Sequence, residues 1–234
     1  MSSSASKERV RRVYAATKAL LDDLHKDSGE QWVWRFRRRF IAPASLFESG
    51  AHVLEDMEMH KSDALLFSLV PGITRYMRIE AFGKSPRLNT FGKASEYLKG
   101  VLLGRTFEQF YMLALDASGK LIDCVFLQRG TTDSAPFYVR HVLGETVRTR
   151  AHAIVISHNH PNNSLLPSRD DINCTLALLS ALQPLGVPLL DHVLVADQQA
   201  VSIRDLGYVK KNVWLAQAPE DKLLTGWLKD APPL

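Results

Sequence analysis

His158 and His160 close an apolar, mostly β-branched run, Ile154-Val155-Ile156-Ser157, and Ser168, Asp170 and Asp171 follow across a short Asn- and Pro-containing loop. At i and i+2 in a strand, both imidazoles point the same way. Two neutral nitrogen donors and one carboxylate, meeting where a strand gives way to a helix, compose a zinc site with one open position. A catalytic zinc needs that opening, because its fourth ligand must be a replaceable water. Pro167-Ser168-Arg169-Asp170-Asp171 ahead of an apolar segment also reads as a capped helix start, with Ser168 capping and Asp171 at the third helical position. The two roles are compatible. A carboxylate in the first helical turn points back to the preceding loop, where Asp171 can share a metal with His158 and His160. Ser168 would sit beside the open position and donate a hydrogen bond to a developing oxyanion. For a general base, spacing leaves four candidates: Glu108, Glu145, Asp116 and Asp170.

The elements that must position these residues follow from periodicity. Residues 153–157 form the central strand and 172–182 a helix after it. Residues 110–115 form a buried strand, 116–119 a hairpin turn and 121–128 its partner. Helices are expected at 94–103 and 137–148, and further strands at 186–195 and 200–203. Interleaved strands and helices predict an α/β sandwich with one mixed sheet. Cys174 falls one turn after Asp171 and reads as a small buried hydrophobe. Asp191-His192 reads as a strand-start pair with a structural hydrogen bond, against a rival reading as a second-metal or supporting pair. Trp214 and Trp227 suggest docked pieces of helix in the last stretch.

The region before this sandwich is helical in pattern. Residues 1–6 read as a disordered Ser-rich tail, 7–25 as a helix, and 32–40 as an amphipathic helix carrying Trp32, Trp34, Phe36 and Phe40 with Arg35, Arg37, Arg38 and Arg39. Those arginines are either a solvated face or contacts to nucleic-acid phosphates. Helix-like segments follow at 44–54 and 62–70, the second ended by Pro71-Gly72. That dipeptide ends a helix or, in a rival reading, begins a DNA-binding hairpin. The loop-rich stretch 82–92 marks the domain boundary, giving 1–93 as a helical domain, 94–212 as the α/β domain and 213–234 as a tail.

Composition sets the outer bounds. The 234 residues are 46% hydrophobic and 23% charged, which excludes a disordered or fibrous chain. A net charge of +4 is compatible with a polyanionic partner without establishing one. Two cysteines, fifty positions apart, argue against a disulfide framework or a Cys-rich zinc module. With no leader-like or membrane-length apolar segment, the expectation is a soluble protein of the cytoplasm.

His158-x-His160, seven residues, Ser168, two residues and Asp171 reproduce the signature His-x-His-x7-Ser-x2-Asp of the JAMM (JAB/MPN-type) metalloproteases. His158-Asn159-His160-Pro161 with Pro167-Ser168-Arg169-Asp170-Asp171 resembles the bacterial RadC family within that group. Glu108-Gln109-Phe110, Leu189 to Val195 and Ser202 to Gly207 are similar to its strands, so the resemblance covers about 101–209. It implies a JAB/MPN, cytidine-deaminase-like mixed-sheet sandwich preceded by a small all-helical domain. It further implies one zinc per chain held by His158, His160 and Asp171, Glu108 as general base and Ser168 as oxyanion stabiliser. The expected reaction is hydrolysis of a peptide or isopeptide bond in a peptide or protein substrate, with a link to DNA repair. Two stretches depart from the family pattern. The loop after the second histidine, Asn162-Asn163-Ser164-Leu165-Leu166-Pro167, lacks the usual glycine, and the helix-hairpin-helix is degenerate between 72 and 92.

Overall fold

A computed structural model describes residues 3–24, 29–39, 49–105, 107–130, 135–196 and 198–229. The chain divides into two compact units, Met1–Tyr76 and Met77–Leu234, ahead of the 82–92 stretch where the sequence reading changes domain.

The first unit is helical among its described residues: α1 (Ser3–Leu24), α2 (Gly29–Arg39), α3 (Ala51–Glu55) and most of α4 (Lys61–Glu80). Helix α1 begins within the expected tail, since Ser-Ala-Ser-Lys-Glu contains no Pro or Gly to prevent it. Leu21, Trp32, Phe36, Leu54, Met57, Met59, Ala64 and Phe67 form its core. Trp32 stacks on Phe36 at 5.4 Å between ring centroids. The amphipathic reading of α2 therefore holds for its buried aromatics, while Trp34 is 59% exposed. Of the helix expected at 44–54, residues 44–48 lie outside the described residues, and the described part is helical from Ala51.

Helix α4 corrects the expectation of a stop at Pro71-Gly72, and with it the DNA-hairpin reading, because the helix runs through both residues to Glu80. Proline forfeits one backbone N–H and crowds the preceding turn. Thr74 Oγ1 donates to the Val70 carbonyl at 2.8 Å, giving a carbonyl beside the proline an added partner. Beyond the proline, Ile79 packs on the core of the second unit, as does Phe82 in the following loop.

The second unit holds α5 (Phe91–Val101), β1 (Gln109–Leu115), β2 (Leu121–Arg129), α6 (Ala135–Thr149), β3 (Ala153–Asn159), α7 (Arg169–Leu182), β4 (Leu189–Ala196), β5 (Gln199–Ser202), α8 (Lys211–Leu215) and α9 (Lys222–Lys229). The strands form one mixed sheet in the order β2-β1-β3-β4-β5, with β3 and β4 parallel and the other pairs antiparallel. The parallel pair needs a crossover, and α7 supplies it. Strands β3 and β4 are buried along their whole length, as expected for strands covered on both faces. Alternation along β4 shows the sandwich directly: His192 meets Thr175 of α7 on one face, and Asp191 meets Trp227 of α9 on the other.

The hairpin between β1 and β2 turns on Asp116, whose Oδ1 accepts from the backbone N–H groups of Ser118 and Lys120. Gly119 has φ +75°, and a Cβ there would stand 2.5 Å from that of Asn89. The turn requires glycine on both counts. Trp214 and Trp227 are fully buried in the main core, so the C-terminal stretch is docked as its tryptophans suggested.

Candidate metal centre

Strand β3 delivers His158 from within the sheet, and His160 follows immediately, its backbone N–H donating to the Val195 carbonyl at 2.9 Å. Their Nε2 atoms come within 3.1 Å of each other. The loop then returns to α7, with Asn163 taking φ +61°, a left-handed conformation that asparagine tolerates. Ser168 caps α7 in a full capping box with Asp171. Ser168 Oγ accepts from the Asp171 backbone N–H, and Asp171 Oδ2 accepts from both Ser168 N and Ser168 Oγ at 2.7 Å. The cap leaves Asp171 Oδ1 facing His158 Nε2 at 3.2 Å, while Oδ2 lies 3.5 Å from His160 Nε2.

Glu108 arrives from a different strand. Phe110 pairs with His158 in the antiparallel register of β1 and β3, so extending the ladder by two residues sets Glu108 opposite His160. Its Oε1 lies 3.8 Å from both histidine Nε2 atoms. Of the four candidate bases, Glu108 joins the cluster. Glu145 binds Arg148, Asp116 serves the hairpin turn, and Asp170 lies exposed in the first turn of α7.

Potential donor atoms from Glu108, His158, His160 and Asp171 all lie within 4.8 Å of one another. A tetrahedral zinc with bonds near 2.0–2.1 Å requires donors about 3.3 Å apart. The two Nε2 atoms at 3.1 Å and Asp171 Oδ1 at 3.2 Å from His158 match that spacing; towards His160 the carboxylate contact is made by the other oxygen, Oδ2, at 3.5 Å, and Glu108 stands slightly farther off. Two imidazoles and a carboxylate are donors that divalent transition metals accept, zinc among them. His160 Nδ1 lies 3.1 Å from the Ser164 carbonyl, which can only accept; Nδ1 therefore carries the proton and leaves Nε2 as a lone pair. Phe110 stacks against His158 at 4.7 Å and fixes the plane of that ring.

Electrostatics favour a cation at the centre. Burial alone would raise the Asp171 carboxyl, but hydrogen bonds with His158, His160 and Ser168 outweigh it and hold Asp171 well below the usual carboxylate range. Burial works against a charged His160, yet Asp171 and then Glu108 raise it overall. The Glu108 carboxyl is pushed up, chiefly by burial, with the two histidines opposing and Asp171 assisting. His192, fully buried and beside His158, is held far below the ordinary imidazole value and is therefore neutral.

Two supporting residues, Asn159 and Thr175, escaped the sequence reading, and a third, His192, figured there only in the rival reading of Asp191-His192. Asn159, between the histidines, points to the opposite side of β3 and clamps the chain around Glu108. Its Oδ1 accepts from Gln109 N at 2.9 Å, and its Nδ2 donates to the Phe107 and Arg105 carbonyls at 3.1 and 3.3 Å. An amide ending an apolar strand is a poor strand former, and that was the available signal. His192 and Thr175 stand behind His158, joined to it by short contacts. The pair Asp191-His192 thus splits its work: His192 adjoins the centre, while Asp191 accepts from His192 N and Ser202 Oγ. Cys174 is buried in the core, as its spacing suggested.

This is an α/β sandwich whose sheet and crossover helix gather two histidines and two carboxylates that could hold a metal. The model of the RadC-like JAB domain matches residues 88–208, more than half of the chain, and the chain belongs to that family. UPF0758 proteins of Shewanella baltica (strain OS185) and Shewanella frigidimarina are each 39% identical over 114 residues, 49% of this chain and 51% of their own. The chain therefore spans about half the length of the curated relatives it matches. Among the described residues, no helix is long and apolar enough to cross a membrane.

Proposed function

We propose that this protein is a zinc-dependent hydrolase that cleaves a peptide or isopeptide bond. The observation that carries the reading is the convergence of His158 Nε2, His160 Nε2 and the Asp171 carboxylate at zinc-donor spacing, with a glutamate carboxylate beside them. A zinc held by His158, His160 and Asp171 supplies Lewis acidity and lowers the pKa of a water at the site towards about 7. Glu108 is the proton carrier: its Oε1 accepts the proton of the attacking water and delivers it to the leaving amine. Asn159 keeps Glu108 in reach by holding the backbone on both sides of it. Ser168 orients Asp171, and its hydroxyl serves an oxyanion by turning from Asp171 Oδ2 to the substrate. Both cysteines are free, which suits a cytoplasmic home.

Elemental analysis of the purified protein tests the reading, beside Asp171→Ala and the His158→Ala/His160→Ala double variant. Roughly one zinc per chain, lost in both variants, is expected. A wild-type protein that takes up no zinc on reconstitution sinks the hydrolase.

A second reading has its own observation. On α2, the Arg38 guanidinium lies 4.7 Å from the exposed Trp34 ring and Arg37 lies 5.2 Å from that of Tyr14. Arg35 is engaged by Glu58, and the side chain of Arg39 lies outside the described residues. Under this reading the Arg37–Arg38 surface contacts DNA phosphates, as a repair or replication factor would.

A further inference from the structure

Behind His158 runs a chain of short contacts that ends on the same helix as Asp171. His158 Nδ1 lies 2.8 Å from His192 Nε2, His192 Nδ1 lies 2.7 Å from Thr175 Oγ1, and that hydroxyl lies 2.7 Å from the Asp171 backbone carbonyl. His158, His192 and Thr175 are all fully buried, so no solvent supplies an alternative partner.

Donor and acceptor counting restricts this chain to two arrangements. A neutral imidazole has one N–H and one lone pair, and each contact made by a ring nitrogen needs one of each. If Thr175 donates to the Asp171 carbonyl, its oxygen accepts from His192 Nδ1–H. His192 Nε2 is then a lone pair, His158 Nδ1 carries the proton, and His158 Nε2 is free towards His160 and Asp171. In the reverse arrangement Thr175 donates to His192 Nδ1 and forfeits its bond to the Asp171 carbonyl, leaving two acceptors 2.7 Å apart; both rings carry their proton on Nε2, and His158 Nε2–H points at Asp171 Oδ1. Mixed arrangements set two protons or two lone pairs face to face. The two rings are therefore locked in the same sense, and only the first leaves a lone pair for a metal.

We propose that Thr175 and His192 are positioning residues for His158. They hold its ring with Nδ1 protonated and Nε2 free whenever a metal occupies the site. This inference rests on the metal reading above and extends it to two residues that touch neither metal nor substrate. It also explains a neutral histidine buried beside another: the partner that orients a ligating imidazole here is a second imidazole, itself set by a hydroxyl.

Nitrogen-15 NMR of the histidine rings tests it in two states, and zinc affinity by chelator competition tests it in variants. In zinc-loaded protein both His158 and His192 should carry the proton on Nδ1. In metal-free protein the two rings should carry it on like nitrogens. Unlike nitrogens in either state, or His192 protonated on Nε2 in the zinc form, overturn the proposal. His192→Leu and Thr175→Val should weaken zinc binding by about 10- to 100-fold, as losses behind a metal ligand do. Thr175→Ser, which keeps the hydroxyl, should restore it. Folded His192→Leu and Thr175→Val proteins with wild-type zinc affinity overturn the proposal as well. If the wild-type chain binds no zinc, the metal reading falls, and with it the metal-dependent hold; the metal-free spectrum then shows whether the two rings are coupled at all.

Discussion

Asp171 does two jobs with its two oxygens, and substitutions at 168 and 171 separate them. Ser168→Ala removes the cap on the Asp171 N–H and one hydroxyl donor to Oδ2. The cap is worth about 1 kcal/mol and the second bond about as much, so metal-free protein should lose about 2 kcal/mol. Asp171→Ala deletes two short bonds to an ionised acceptor and leaves the Ser168 N–H and hydroxyl unpaired. At about 1.5 kcal/mol or more for each, the loss should be about 3–5 kcal/mol. Zinc separates the two variants further. At a hundredfold excess over its dissociation constant it adds about 2.7 kcal/mol. For a unit of this size that raises the melting temperature by roughly 5–10 °C. Ser168→Ala should retain that shift in full, because His158, His160 and Asp171 remain. Asp171→Ala, with affinity reduced about 100-fold or more, should show a shift of only about 1 °C at the same zinc concentration. Thermal unfolding with zinc and with chelator reads both numbers. An undiminished zinc shift in Asp171→Ala would refute Asp171 as a ligand. Loss of the shift in Ser168→Ala would refute the division of labour between the two oxygens.

Glu108→Gln should keep the zinc shift and lower turnover by about 10²- to 10⁴-fold; a variant with wild-type turnover would remove Glu108 as the base. Asn159→Ala frees the chain on both sides of Glu108, so turnover should fall at least about tenfold while bound zinc stays near one per chain; loss of zinc instead would show that Asn159 acts on the ligands. Burial, first among its influences, pushes the Asp191 carboxyl up to about 6 from 3.8. The neutral form is favoured in the fold, so the stability it contributes is complete below pH 3.8 and is lost as pH rises through about 6. Asp191→Asn, which does not ionise, should therefore gain on wild type by about 2 kcal/mol between pH 4 and pH 7 in urea unfolding, and a pH-independent difference would contradict this. Arg37→Glu with Arg38→Glu should reduce the salt slope of DNA binding by about 2 if both meet phosphates, whereas unchanged binding would retire that surface.

The strand–loop–helix that carries His158, His160, Ser168 and Asp171 was legible in the sequence because its geometry is local. Period two sets the histidines on one side, and the capping box turns Asp171 back towards them. Glu108 was not legible by spacing, since its place depends on the β1–β3 register across fifty residues; the family resemblance singled it out instead. His192 and Thr175 were harder still. Their contact with His158 exists only once β3 and β4 align in parallel with Ile156 beside His192, and no local pattern encodes that alignment. At Pro71 local chemistry pointed the wrong way. A proline usually ends a helix, but apolar residues continue at helical spacing beyond it, and burial of Ile79 against the core favours carrying on.

The matched region ends at residue 208, yet the folded unit does not. Trp214, Leu223, Leu224, Trp227 and Leu228 belong to the same core, and Trp227 Nε1 lies against Asp191 on the far side of the strand that carries His192. At the other end, Ile79 and Phe82 pack before residue 88, Phe82 edge-on to Tyr97 at 5.3 Å. A fragment cut at 88 and 208 would keep every candidate ligand and lose the wall behind them, opening a buried carboxylate to water next to the histidine relay. Recognisable likeness spans 88–208, whereas the compact unit whose core closes around the site begins ahead of that stretch, near residue 77, and takes in α9 beyond it.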